Sequence, residues 1–393
     1  MDPYIIEWLN LLVRWGHMIA GVAWIGASFY FNWLENNLDR RNPINGVSGE
    51  LWAIHGGGIY HLKKFKLAPP KMPDQLHWFK WEAYATFLSG FTLLAIVYYL
   101  NAQLYLVAPG SGIGSTAAIA ISIGSLIAGW FIYSLLCDSA LGKKPTLLAA
   151  LIFILLVGAA WALSQVFNGR AAYIHVGAII GTIMVGNVFR VIMPAQRALV
   201  GAIEAGREPD PALPAKGLLR SRHNNYFTLP VLFIMISNHF PSTFGHQYNW
   251  LILAALSVLS VLVRHYFNTR HASQKYLWTL PAAALGMIAL AFVSAPKNSV
   301  QNSLATQVSF QRVEQIINQR CTVCHASNPT YVGFTAAPLG VIMETPAQIQ
   351  ALVPQIVAQS ISSKAMPIGN ITQMTQPERD LIALWIQQGA AIE

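Results

Sequence analysis

Eight apolar runs long enough to cross a bilayer, each closed by charges or by Pro and Gly, constrain this chain more than any other feature. A crossing helix needs about 20 predominantly apolar residues. The runs are Ile5–Leu34, Trp81–Val107, Ser115–Leu136, Pro145–Leu163, Ala172–Met193, Asn225–Phe240, Tyr248–Phe267 and Tyr276–Ser294. The sixth is short and holds Pro230. Composition leads the same way: charged residues make up only 10% and hydrophobic ones 54%. A soluble domain carries roughly 25% charged residues. So few charges cannot cover a surface in water, so most of the 393 residues face lipid. An all-α, eight-helix transmembrane bundle over residues 1–296 is the expectation. The start Met-Asp-Pro lacks a basic segment, and Arg14 and His17 lie inside the first run. That predicts a retained helix rather than a cleaved leader.

Loop charges orient the bundle. Arg40, Arg41, Lys63, Lys64, Lys66, Lys71 and Lys80 separate the first two runs, and Lys143 and Lys144 separate the third and fourth. Arg197, Arg207, Lys216, Arg220 and Arg222 precede the sixth, and Arg270 and Lys275 precede the eighth. The alternate connections hold only Arg170. Basic loops stay cytoplasmic, so both termini are expected outside, in the periplasm of a bacterial inner membrane. The net charge is +9, yet residues 297–393 hold five basic and five acidic residues. A basic membrane region with a neutral tail argues against a nucleic-acid partner; the expected surroundings are a lipid bilayer.

Residues 297–308 read as a polar linker, and 309–393 as a separate domain. Within it, a short helix over Val313–Gln319 runs into Cys321-Thr-Val-Cys324-His325. This C-x-x-C-H is the attachment motif of a c-type haem, with two thiols for the vinyl groups and an imidazole for the iron. A redox or zinc C-x-x-C is the competing reading, but zinc wants a second ligand pair, and the chain has only three cysteines. No histidine follows His325, so the sixth iron ligand falls among Met343, Met366 and Met374. Met366-Pro367 precedes a capping box, Thr375-Gln-Pro-Glu378, that opens a helix over Pro377–Gln388. A methionine on a Pro-stiffened loop before the last helix is the arrangement of a small, class I-like cytochrome c. Met366 is therefore preferred and Met343 second.

Ionisable groups in a span are costly and suggest function. Asn10, Arg14, His17, Gly21, Trp24 and Ser28 form one stripe of the first helix. Two readings stand: Arg14 snorkelling beside a hydrogen-bonded core His17, or Arg14 as anion clamp, His17 as acid/base or haem ligand, and Trp24 as stacking surface. His175 and the pair Asn238 and His239 also fall in the outer half, where plain interfacial solvation is the alternative. An inner group comprises His55, next to Gly56-Gly57-Gly58, with His223 and Asn224. The glycines there suit an anion-binding turn; a basic aromatic belt is the other reading. Asp138 and Cys137 read as structural.

Four segments together resemble one family: Ala23-Trp24-Ile25-Gly26, His55–Tyr60, Leu76–Tyr84 and the long Arg220–His239, ahead of a C-x-x-C-H domain. The chain resembles the bacterial membrane-bound urate oxidase (urate hydroxylase) family, which fuses a membrane domain to a cytochrome c. The first helix, with Arg14-x-x-His17 and Trp24-Ile-Gly, is also similar to that of bacterial membrane protoporphyrinogen oxidases, which hold haem b through a helix histidine. A haem b or other redox centre in the membrane domain is therefore kept in view. The first resemblance implies oxidation of urate to 5-hydroxyisourate. Electrons then pass to haem c and on to a soluble cytochrome c or terminal oxidase, without hydrogen peroxide. Urate is a flat anion that wants a cation, a stacking face and bases. Arg14, Trp24 and Asn238 are expected to bind it, with His17, His175 and His239 beside them. An outer site lies near a periplasmic haem, whereas His55, His223 and Asn224 lie across about 30 Å of hydrocarbon. A quinol-oxidising membrane cytochrome without a purine substrate is the alternative, and a transporter with a redox-sensing tail a third.

Overall fold

A computed structural model describes residues 3–41, 45–66, 68–295 and 307–392. Of the described residues, 69% are helix and 5% strand. Helix α1 spans Pro3–Asn37, and α2 spans Trp81–Leu94 and widens into a π-helical turn over Ala95–Tyr99. A single turn, α3 (Ala102–Tyr105), follows. Then come α4 (Ser115–Asp138), α5 (Pro145–Val166) and α6 (Gly169–Asn187), which continues through a second wide turn into α7 (Met193–Glu204). Helices α8 (Ala212–Ile236), the short α9 (Pro241–Phe244), α10 (Asn249–Thr269) and α11 (Thr279–Val293) complete this region.

Helix covers all eight predicted runs, but not with the predicted ends. Among the described residues, five helices are long and apolar enough to cross a membrane. The second run is broken at Asn101, whose φ of −131° leaves the helical region. The sixth begins well before Asn225, at Ala212, so Lys216, Arg220 and Arg222 stand on a helix and not in a loop. Pro230 sits inside that helix, where it removes one backbone bond but leaves the path of the chain intact.

Helix α6 is the centre of the bundle. Over half of its membrane window is buried (56%), against 11–22% for the other four. It packs on α2, α4, α5 and α8, while α1 lies on α2, and α10 on α8, α5 and α11. Small residues allow these approaches. A Cβ on Gly177 of α6 would meet Ile234 of α8 at 2.6 Å, and one on Gly129 of α4 would meet Ile179 of α6 at 2.6 Å.

The all-α expectation missed a hairpin. Strands β1 (Val47–His55) and β2 (Gly58–Phe65) pair antiparallel around Gly56 and Gly57, at φ of +57° and +79°. Two successive positive φ values define the tight turn that suits a right-twisted hairpin. These glycines serve that turn, and His55 pairs in register with Gly58 instead of opening a backbone nest for an anion.

The predicted linker 297–308 lies outside the described residues up to 306. Beyond it, α12 (Phe310–Arg320) and α15 (Gln376–Gln387) pack together, with α13 (Pro346–Ala351) and α14 (Val353–Ile356) beside them. Val313, Ile317, Ile382 and Trp385 centre this second core. The predicted capping box is present: Thr375 accepts from the Glu378 amide and Glu378 from the Thr375 amide. Arg320 holds the same Glu378 at 2.8 Å. The tail sits on the end of the bundle where α6 starts and α8 stops. There α3 meets the turn Ile368–Asn370, α9 meets Val357–Ser362, and Ala365 packs into the membrane-domain core.

Two consequences are testable. Gly177→Ala forces α6 and α8 apart and is expected to lower stability by about 1–3 kcal/mol, the usual cost of overpacking. Gly181→Ala, with open space at its Cβ, leaves the thermal midpoint in detergent unchanged. In the tail, burial works against the Glu378 carboxylate, but Arg320 and Thr375 outweigh it and hold its pKa below the usual value. A depressed carboxylate stabilises the fold above its unfolded pKa and stops doing so as pH falls through the folded one. Tail stability should therefore decline below about pH 4, and Glu378→Gln should abolish that part of the acid response.

Candidate functional site

The outer end of α6 supports a polar chain buried among apolar side chains. His175 is fully buried, and its Nδ1 lies 2.7 Å from the Ala171 carbonyl. A carbonyl only accepts, so Nδ1 carries the proton. Nε2 must then accept, and it takes the Ser122 hydroxyl at 2.6 Å. Ser122 has spent its one proton, so the Tyr99 hydroxyl donates to it at 2.7 Å. The direction of the whole relay, Tyr99 to Ser122 to His175, follows from one backbone carbonyl.

Beside His175 lies Tyr98, 3% exposed, with the ring centroids 5.9 Å apart. Its hydroxyl is buried and has no hydrogen-bond partner. Arg170 and Asn238 flank it without closing a hydrogen bond of proper geometry, and Arg14 stands within electrostatic reach. Arg170 Nε donates to Asn238 Oδ1 at 3.1 Å, while Arg14 rests on Asn10 Oδ1 at 3.0 Å. Arg170 thus lies beside an orphaned hydroxyl, while the exposed Arg14 acts on it only through its charge. A planar anion with a polar edge suits that arrangement.

Not every predicted residue joins this group. The Nδ1 of His17 donates to the Thr86 carbonyl at 3.0 Å, and Ser89 Oγ lies 3.1 Å away, so the ring ties α1 to α2. A Cβ on Gly90 would touch that ring at 2.8 Å, so the contact is close. Trp24 packs deeper, against Ala83, Val185 and Val188. Ten residues of helix, about 15 Å of rise, separate it from Arg14. His239 is exposed at the end of the turn Ser237–His239. The expected convergence of three outer histidines therefore reduces to His175, because a helix turns its side chains through 100° per residue and only some face inward. Tyr98, Tyr99, Ser122 and Arg170 were missed. Arg170 had a signal: it was the only basic residue in the outer connections.

The inner candidates also divide. His55 is exposed in the hairpin. His223 Nδ1 lies 2.8 Å from the Tyr133 hydroxyl, and Cys137 Sγ is 3.8 Å away. Asn187 donates to both Tyr133 (2.9 Å) and Asn224 (2.8 Å), and Asn224 donates to the Met184 carbonyl. Arg220, fully buried, pairs with Asp138 at 2.9 Å and covers the Tyr133 ring at 5.0 Å. Each residue is held by another, although Arg220 Nε stays buried without a partner, so this reads as a network that joins α4, α6 and α8. Asp138 and Cys137 belong to it.

In the tail, the Cys324 and His325 amides both donate to the Cys321 carbonyl, so a single turn presents both thiols and the imidazole. His325 Nδ1 donates to the Val341 carbonyl at 3.0 Å, which leaves Nε2 with its lone pair, as a metal-ligating histidine requires. Burial pushes the Cys321 thiol up to about 12 and raises Cys324 as well, which opposes a thiolate redox or zinc role. Among the described residues, no group of three or more His, Cys, Asp or Glu side chains is placed to share a metal. Met343 donates its amide to the His325 carbonyl, and its side chain is buried in the tail core, as is that of Met374. Met366 is on another loop, pinned where Arg379 donates to its carbonyl at 2.8 Å. Arg379 also acts electrostatically on Cys321. These donors fit a porphyrin iron with thioether, imidazole and methionine attachments. Tyr105 of α3 lies within electrostatic reach of both Arg170 and Cys324, so the tail motif stands next to the outer site.

Long apolar helices around polar, cation-bearing groups suit a helical membrane protein. The family model described as urate oxidase N-terminal matches residues 3–295, and the chain belongs to that family. The match ends where α11 ends, ahead of the tail. The searches of curated proteins and of solved structures found no match.

Ser122→Ala tests the relay. It leaves His175 Nε2 buried without a donor, at a cost of about 1–3 kcal/mol. The expected result is a lower thermal midpoint in detergent; an unchanged midpoint removes Ser122 from the chain.

Proposed function

We propose that the chain oxidises urate to 5-hydroxyisourate at the outer end of an eight-span bundle in the bacterial inner membrane. The tail, on the periplasmic side, then delivers the electrons through haem c to a soluble cytochrome c or terminal oxidase. Family membership supports the substrate, and the loop charges support the orientation. The observation that carries the reading is the approach of the C-x-x-C-H turn, across Tyr105, to the arginines around Tyr98.

Arg14 and Arg170 would hold the urate monoanion, and the unpartnered Tyr98 hydroxyl would meet its polar edge. Urate plus water yields 5-hydroxyisourate, two protons and two electrons. Tyr99 is placed to take a proton while passing its own to Ser122, which passes one to His175 Nε2. Burial disfavours the imidazolium so formed, so the proton rests there only transiently before it moves on. Cys321, Cys324, His325 and Met366 are the residues that would hold haem c. When bound, that group accepts single electrons. Between turnovers, Arg379 keeps the Met366 loop in place beside the motif.

Anaerobic urate added to the purified protein should lose its absorbance while a ferrous c-type spectrum grows. Arg170→Gln should raise the urate concentration for half-maximal rate roughly tenfold to a hundredfold, as a lost charged hydrogen bond implies. Cys324→Ala should abolish turnover. One peroxide formed per urate, with the tail spectrum unchanged, would instead place oxygen chemistry in the membrane domain.

A second reading has one observation behind it. An apolar groove of about 260 Å³ lies between α4, α5 and α6, and Tyr133, bonded to His223, lines it. A quinol-oxidising cytochrome would use such a groove. Reduction of the tail by a quinol, and not by urate, would favour it.

A further inference from the structure

A second buried cation, Arg264 near the end of α10, is used neither by the outer site nor by the Arg220 network. It is 6% exposed, and its guanidinium lies 4.2 Å over the Phe29 ring of α1. The ion pairs among the described residues do not include it. Its Nε donates to Asn225 Oδ1 at 3.0 Å, while its Nη2 is buried without a partner. Asn268 Nδ2 donates to the same Asn225 oxygen at 2.7 Å. That bond fixes the orientation of the Asn268 amide and leaves its Oδ1 buried and unpartnered too. One oxygen thus aligns an unmet cationic donor and an unmet acceptor.

A guanidinium stays charged at any pH a protein meets. A charge within a span is costly and marks a pathway or a counter-ion. The unmet acceptor narrows the choice further. A halide would answer Arg264 and leave Asn268 unsatisfied. A ligand that satisfies both brings a negative or strongly polarised oxygen and, next to it, an N–H donor. The Phe29 face is taken by the guanidinium itself, so the two unmet atoms alone select the ligand.

We propose that Arg264, held over Phe29, together with Asn268 and Asn225 forms a second binding site, for a planar monoanion with a lactam edge. The oxygen of that edge accepts from Arg264 Nη2, and its N–H donates to Asn268 Oδ1. Urate presents such an edge, so the site would hold a second copy of the substrate in the inner half of the bundle; that assignment rests on the proposed function.

The test is equilibrium binding of labelled urate to the full-length protein in lipid nanodiscs, with the tail reduced beforehand so that urate is not consumed. Two urates per chain are expected. Arg264→Gln and Asn268→Leu should each remove one, and Arg170→Gln the other. Asn268→Leu keeps the cation and its bond to Asn225, so it reads the site even where Arg264→Gln fails to fold. A single urate per chain in the parent protein overturns the proposal, as do two that persist in Asn268→Leu. Dihydrogen phosphate at equal concentration should leave the stoichiometry at two; displacement of the Arg264-dependent urate would make the site one for inorganic oxyanions. Urate held at Arg264 without any turnover would sink the oxidation reading and leave this site standing.

Discussion

Hydrocarbon cannot hydrate a polar side chain, so each one within the bundle depends on a partner supplied by protein. Helix α6 is where most of those partners meet. It carries His175 near its start and Asn187 at its end, both fully buried. Twelve residues of rise separate them, about 18 Å. Each anchors its own group: His175 with Ser122 and Tyr99, and Asn187 with Tyr133, Asn224 and Arg220. The glycines of α6 and α4 let neighbouring helices come near enough to close those bonds. Packing and polar chemistry are therefore the same constraint seen at two ends of one helix.

The two ends differ in what they leave open. At the inner end Arg220 has a carboxylate, and the histidine, tyrosine and asparagines bond to one another, with Arg220 Nε left unmet beside them. The outer end leaves the Tyr98 hydroxyl without a partner between cations. Both ends thus keep an unmet group, but the inner arginine is already neutralised by Asp138, whereas the outer cations have no carboxylate among the described ion pairs. The tail lands on this open end, and the loop around Met366 runs between it and the C-x-x-C-H turn. The proposed anion site and the C-x-x-C-H turn come near one another because α3 and α9 offer the tail a seat.

Much of this could be read from residues alone. Apolar runs marked the helices, since lipid demands about 20 such residues in a row. Thr375 and Glu378 marked the start of the last tail helix, since a capping box is a local bond pattern. The hairpin over Val47–Phe65 escaped notice because its apolar residues alternate within a charged segment, and the glycines there suited an anion turn equally well. His17 and Trp24 shared a stripe with Arg14, yet a stripe does not say which neighbour each residue meets.

Local pattern determined what lies in lipid, where the haem-type motif sits, and which residue types carry the chemistry. Those properties depend on composition and on spacing of a few residues, so no distant contact is needed to see them. Tertiary structure decided the partners. Residues 99, 122 and 175 come together across three helices, and Arg170 meets Asn238 from 68 positions away. Whether a buried donor finds an acceptor depends on how helices rotate and approach, and that is settled by packing between segments that no local pattern relates.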